Sequence, residues 1–145
     1  MEIRRPNERE IEKIFALSPQ AIYEGTLGET QPTNEQVKQL NESLLKKGNY
    51  YLIATENNEL IGWILVGGRE DQFSGKKIGF IYELYVVEEH RGKGIAKQLI
   101  QTAIEQLKKE GYPEIRLTVF AGNPAIQIYE SIGFKKRTIT MSISL

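Results

Sequence analysis

The sequence predicts one α/β domain of mixed α+β type, with helices covering a mixed β-sheet, and three observations point there. A chain of 145 residues can build a single core and is too short for two. Gly94 to Glu110 repeats its apolar residues at helical spacing, whereas Tyr50 to Val66 and Ile78 to Val87 are rich in β-branched, aromatic and aliphatic residues. The segments also follow the order strand, helix, helix, three strands, helix, strand, helix, strand, which layers helices on a sheet. The whole of 1–145 is therefore read as one domain.

After an opening strand, Asn7 caps a short amphipathic helix carrying Ile11, Ile14 and Phe15, with Glu10 closing a capping box. Ser18 to Pro32 lapses into Gly, Pro, Thr and Glu and reads as irregular. Thr33 to Gln36 forms a second capping box before Val37, Leu40, Asn41, Leu44 and Leu45, and that helix ends near Gly48. Tyr50 to Thr55 and Leu60 to Val66 flank Glu56-Asn57-Asn58-Glu59, where Asn tolerates the positive φ of a tight hairpin. A loop from Gly67 to Lys77 leads to Ile78–Val87, apolar at both parities apart from Glu83, as a central strand covered on both faces requires. The helix after Gly94 buries Ala96, Leu99, Ile100, Ala103, Ile104 and Leu107 and stops at Gly111 and Pro113. A strand, Glu114 to Phe120, precedes Asn123 as N-cap, Pro124, and a short helix ending at Gly133. Arg137 to Leu145 alternates strictly, Ile139, Met141, Ile143 and Leu145 against Thr and Ser, which predicts a half-buried strand.

Composition excludes several functions. Lys plus Arg and Asp plus Glu number 19 each, and this neutral balance opposes a nucleic-acid or anionic-membrane coat. Lys135-Lys136-Arg137 therefore reads as a solvated strand start. Without cysteine there is no disulfide, thiolate metal site or Cys nucleophile, and no other metal-ligand spacing occurs. Neither an apolar leader nor a run of about 18 apolar residues is present, so a cytoplasmic protein with no membrane partner is expected.

The informative segment is Arg91-Gly92-Lys93-Gly94-Ile95-Ala96, where the central strand turns into the longest helix. Unpaired amides at a helix start, made accessible by glycines, form a site for phosphate, and Arg91 and Lys93 add charge. Two familiar phosphate loops do not fit. A Walker loop needs Ser or Thr where Gly94 follows Lys93, and a dinucleotide fingerprint needs a small residue where Lys97 stands. What remains, Arg-x-x-Gly-x-Ala from Arg91 to Ala96 after a strand, resembles the acyl-CoA pyrophosphate loop of the GNAT superfamily of N-acetyltransferases. Asn123, Tyr129 six residues on, and the terminal Gly133-Phe134 resemble that family's second signature, and the element order agrees with its fold over essentially the whole chain.

The resemblance implies a central mixed, mostly antiparallel sheet flanked by helices, whose splayed central strands form a cleft for acyl-CoA. It implies that backbone groups of Leu84, Tyr85 and Val86 pair with pantetheine. Amides of Arg91, Gly92, Lys93, Gly94, Ile95 and Ala96 then cradle the pyrophosphate, and Asn123, Ala125, Ile126 and Tyr129 face the cofactor. Tyr129 matches the tyrosine that protonates the departing CoA thiolate; packing on its helix stripe is the competing reading. The cosubstrate is then acetyl-CoA, with no metal, and a primary amine is the acceptor.

Such an amine has a pKa near 10.4 if it is like free lysine and must lose a proton before it attacks, while the oxyanion needs an N–H donor from the strand around Tyr85. One His and no Cys favour direct attack in a ternary complex over a covalent acetyl-enzyme. Glu83 is the candidate base, because an acid inside a core strand is costly unless it is paired or faces a wet cleft; an ion pair at the rim is the alternative. Tyr23 and Glu24 either line the acceptor pocket or sit in a solvated loop, and His90 is a surface residue beside the turn. A non-catalytic acyl-CoA-binding sensor or interaction module is the rival function, and the resemblance leaves room for a homodimer.

Overall fold

The computed structural model describes all 145 residues. Five strands lie in the order β1-β2-β3-β4-β5: β1 (Glu2–Arg4), β2 (Tyr50–Glu56), β3 (Glu59–Glu70), β4 (Lys77–Val86) and β5 (Ile115–Leu117). The first four pair antiparallel, and β5 pairs parallel to β4, so the sheet is mixed and mostly antiparallel, as expected. Its helices are α1 (Glu8–Gly25), α2 (Asn34–Lys46), α3 (Ile95–Lys109) and α4 (Ala125–Ile132).

Local chemistry explains most boundaries. Asn7 and Thr33 accept hydrogen bonds from the backbone N–H of Glu10 and Gln36, whose side chains bond back to the cap amides, so both capping boxes form. Asn57 and Asn58 adopt φ of 52° and 64°, the left-handed pair that a two-residue β2–β3 turn requires. Because strand residues alternate in direction, the sheet has two distinct faces. Tyr50, Leu52, Ala54, Ile64, Val66 and Ile81 pack with Leu99, Ile100, Ala103 and Leu107 of α3 and with Tyr129 of α4. Tyr51, Ile53, Trp63 and Leu65 meet Ile14, Phe15 and Ala21 of α1 on the other. Helix α3 approaches closely at Gly62, where an added Cβ would stand 3.3 Å from Leu99 Cδ1 and 2.9 Å from the carbonyl oxygen of Tyr85.

Four expectations need correction. Gly67 to Glu70 is not loop but continues β3, paired with Phe80, Gly79, Ile78 and Lys77 of β4. Ser18 to Gly25 is not irregular but continues α1, with Pro19 inside it. Proline removes one helical N–H, yet Ser18, Pro19 and Ala21 are buried, and this packing outweighs the local breaker signal. β5 forms ladder pairs only from Ile115 to Leu117 rather than to Phe120, because β4 diverges from it. Arg137 to Leu145 joins no ladder, and Ile139, Met141 and Ile143 are 79%, 88% and 84% exposed. The alternating pattern alone does not make a strand, because in this structure no neighbouring strand lies alongside to pair with it. No helix is long and apolar enough to cross a membrane.

Candidate active site

The site begins where β4 and β5 separate. They pair only over Gly79–Ile115, Phe80–Arg116 and Ile81–Leu117, so β4 has no ladder partner on its β5 side from Tyr82 to Val86. Register fixes which groups face that opening. Val87 donates its N–H to the Ile61 carbonyl at 2.9 Å, which makes Ile61–Val87 a hydrogen-bonded antiparallel pair. Alternation then turns the main chain of Tyr85, opposite Trp63, toward β3, and that of Leu84 and Val86 toward the opening. Of the three backbones expected at the cofactor, Leu84 therefore presents a free edge and Val86 a free N–H, its carbonyl being taken by Arg91 Nε, and Tyr85 contributes its side chain. A bulge between Leu65 and Val66 sets Glu83 opposite Leu65 but Ile81 opposite Val66, bending β4 just before the opening.

Past Val86 the chain makes a short 3₁₀ turn (Glu88–His90) and enters the loop Arg91–Gly94. Gly92 and Gly94 adopt φ of 79° and 78°, and a Cβ at either would meet nothing within 4 Å, so the loop is open on its outer side. Gly94 N-caps α3 without a side-chain hydrogen bond. The first amide of the helix to find a carbonyl is that of Gln98, bonded to Gly94 O at 3.1 Å, so those of Ile95, Ala96 and Lys97 stay available at the positive end of the helix dipole. Lys93 is exposed on this loop. Arg91 is engaged elsewhere. Its Nε donates to the Val86 carbonyl at 2.8 Å, its guanidinium lies 5.2 Å from the Tyr85 ring centroid, and it pairs with Glu24 at 2.9 Å.

Glu24 thus sits at the end of α1 rather than in a loop, accepting also from the Tyr85 hydroxyl at 3.0 Å and Gln20 at 3.2 Å. Desolvation alone would raise its pKa, but the bonds from Gln20, Arg91 and Tyr85 outweigh it and hold the carboxylate below its usual range. Tyr23 lies one residue earlier on the helix, 40% exposed. His90 has no hydrogen-bond partner for its Nδ1, which stands 3.7 Å from Glu56.

Helix α4 forms the other wall. The Asn123 side chain accepts from the Ala125 amide at 2.9 Å and donates to the Gly25 carbonyl at 3.2 Å, capping α4 while tying it to the end of α1. Ala125 and Ile126 are half-buried at this start. Tyr129 is 7% exposed, meets Phe134 edge-on at 5.7 Å, and has its pKa pushed up to about 12 by burial. Its hydroxyl therefore keeps its proton at neutral pH.

Glu83 lies on the opposite face of the sheet from Tyr129, within a polar cluster. Its Oε1 accepts from Trp63 Nε1 at 2.6 Å and Ser18 Oγ at 3.0 Å, and its Oε2 accepts from Asn41 Nδ2 at 3.4 Å. Asn41 also donates to the Tyr51 hydroxyl at 3.0 Å. The alternative reading, an ion pair at the rim, does not form: all three partners are neutral. Burial raises the carboxyl pKa, opposed by the three donors. Sequence reasoning missed this shell. Its one visible trace is Asn41, which occupies a core-facing position of the α2 stripe and is 2% exposed while the adjacent Leu40 is 56% exposed. No group of three or more His, Asp or Glu side chains is placed to hold a metal ion.

Comparison with known proteins points to one family. The family model described as Acetyltransferase (GNAT) family matches residues 11–134. The uncharacterized N-acetyltransferase YdgE of Bacillus subtilis is 31% identical over 129 residues, covering 84% of this chain and 80% of that protein. N-acetyltransferase 8 of Rattus norvegicus is 31% identical over 94 residues, and there the match spans 64% of this chain and only 42% of the relative. Among solved structures, a Pyrococcus furiosus protein provisionally described as an acetyl transferase superposes with a TM-score of 0.82 at 31% identity, over 99% of both chains. An aminoglycoside antibiotic 6′-N-acetyltransferase from Acinetobacter haemolyticus shares the fold, with a TM-score of 0.76 at 20% identity over 100% of this chain and 98% of that one.

Proposed function

The chain belongs to the acetyltransferase (GNAT) family and is an acyltransferase acting on an amine, and on that premise we propose that it moves an acetyl group from acetyl-CoA to a primary amine by direct attack in a ternary complex. The observation that carries the reading is the divergence of β4 from β5, which leaves the Leu84 main chain and the Val86 N–H open and leads straight to the available amides of α3. Pantetheine fits the strand edge as an added strand, and pyrophosphate fits the loop from Arg91 to Ala96. Since Arg91 is held by Glu24 and Val86, amides and Lys93 supply most of the attraction, and Arg91 braces the loop.

The neutral amine attacks the thioester carbonyl; a C–N bond forms and the C–S bond breaks. The outward amide of Leu84 is suited to the developing oxyanion. Tyr129, protonated at neutral pH, gives its proton to the thiolate and regains one from solvent. Glu83 is the proposed acceptor of the amine proton, through Oε2, the oxygen with only the long Asn41 contact; Oε1 is already occupied by two donors. A raised pKa suits a base working near neutral pH.

The test is thiol release by the purified chain with acetyl-CoA and a panel of polyamines, amino sugars and peptide amines, beside calorimetry of CoA binding. Amine-dependent thiol release with a measurable binding heat is expected. Binding heat with no thiol release for any amine would favour the non-catalytic module, and no heat with any acyl-CoA would remove the cofactor assignment.

A further inference from the structure

On the proposed transfer the amine meets Glu83 on the α1/α2 side of the sheet, so the residues of that face bear on which amines the chain accepts. Tyr82, next to Glu83, packs on the α1-side cluster. Phe80, two residues earlier on β4, lies on the same face with its ring 4.8 Å from that of Tyr82. This aromatic lane ends under Arg69, whose guanidinium stands 4.4 Å from the Phe80 ring centroid. Burial raises the Tyr82 phenol pKa and the Arg69 charge opposes it, so the cation acts along the lane. Glu83 is opposite Leu65 and Phe80 opposite Gly67, two residues further along β3, which sets the guanidinium roughly 7 Å along the strand from the carboxyl.

The charges bordering the lane are unevenly matched. Glu24 is paired with Arg91, and Asp71 and Glu114 with Arg116, which stands beside Phe80 on β5. These carboxylates are already neutralised and hold no charge in reserve for a second ammonium. Arg69 is exposed and makes neither an ion pair nor a side-chain hydrogen bond. A guanidinium resting on an aromatic ring keeps its N–H edge for a planar anion. We infer that Arg69 selects the acceptor, an amino acid or short peptide whose reacting amine lies roughly 7 Å from a carboxylate. The amine sits at Glu83 Oε2, the connecting chain on Tyr82 and the carboxylate on Arg69. An α-amino acid reacting through its α-amine is too short to span the two, and a polyamine brings a cation to a cation. The transfer is unchanged, with the C–N bond formed, the C–S bond broken and the thiol released; the selection rests on that reading.

The test measures thiol release from acetyl-CoA with 6-aminohexanoate, hexylamine and 1,6-diaminohexane, which share a six-carbon chain and differ in the far group, and with glycine as the short control. The kcat/KM for 6-aminohexanoate should exceed that of each of the others by about tenfold or more, the worth of one charge-assisted contact. In Arg69→Gln the preference should vanish through a raised KM with little change in kcat. Arg69→Lys keeps the charge and should retain most of it. Both variants should keep the circular dichroism of the parent. Equal use of the three six-carbon amines, or a preference that survives in Arg69→Gln, would overturn the selection and leave acetyl transfer standing. So would turnover with polyamines or amino sugars but with none of these four amines. No turnover with any amine, despite a binding heat for CoA, would instead remove the transfer reading and the selection with it.

Discussion

The two faces of the sheet solve different problems. The α3 face is an apolar platform: Leu99, Ile100, Ala103 and Leu107 are fully buried on it, and its buried polar tips are the hydroxyls of Tyr129 and of Tyr50, the latter bonded to Glu110. The α1/α2 face places Glu83, Trp63, Ser18, Asn41 and Tyr51 in one hydrogen-bonded cluster. An apolar face tolerates no loss of volume, whereas a polar cluster tolerates no loss of a partner. On the proposed function the first face backs the loop and the wall of the cofactor cleft, and the second holds the Glu83 carboxyl among neutral donors.

Truncation of the platform should do most. Leu99→Ala removes a side chain that touches the sheet at Gly62 and should cost about 2–5 kcal/mol in denaturant unfolding; a loss below 1 kcal/mol would mean that α3 does not carry the core. Tyr129→Phe keeps the packing and removes the proton, so kcat should fall by about 100-fold with little change in acetyl-CoA affinity. An unchanged kcat would return Tyr129 to a packing role. Gly94→Glu forces a side chain onto a left-handed position and sets a negative charge at the anion loop, and CoA affinity should drop by about tenfold or more. Equal affinity by calorimetry would put the pyrophosphate elsewhere.

The smallest effect separates the faces by pH. Burial raises the Glu83 pKa, so the folded state holds that proton more tightly than the unfolded chain does. This contribution is complete below about pH 4.3 and is lost as pH rises through the folded value. Glu10, Glu24 and Asp71 have lowered values and act with the opposite sign, losing their contribution as pH falls below about 4. In Glu83→Gln the decline of the melting temperature above pH 4.3 should flatten while the acid limb remains. The same variant should lose the acid limb of its kcat/KM profile if Oε2 takes the amine proton, and an unaltered profile would leave Glu83 a purely structural group.

Legibility followed the range of the interaction. The capping boxes at Asn7 and Thr33, the Asn57-Asn58 turn, the α3 stripe and the glycine loop depend on neighbours within a few residues, and the structure has each where its chemistry put it. The loop was legible as a candidate site because the groups it would offer are amides, which every sequence carries and only glycine and helix placement expose. The surroundings of Glu83 were not readable, because Ser18, Asn41 and Trp63 reach it from 65, 42 and 20 residues away. Nor was Arg91, whose charge suggested phosphate and whose partner is Glu24.

By itself, then, the sequence determined the kind and order of most elements, the glycine turn that leads from strand to helix, and a family signature, since backbone propensity and turn chemistry act locally. Only the tertiary structure decided that α1 runs through Pro19, that Asn41 rather than Leu40 points inward, that Leu84 and Val86 face the opening, and that residues 138–145 join no strand ladder. Each of these depends on which distant segment lies alongside, and burial and hydrogen-bond partnership are settled only when those segments meet.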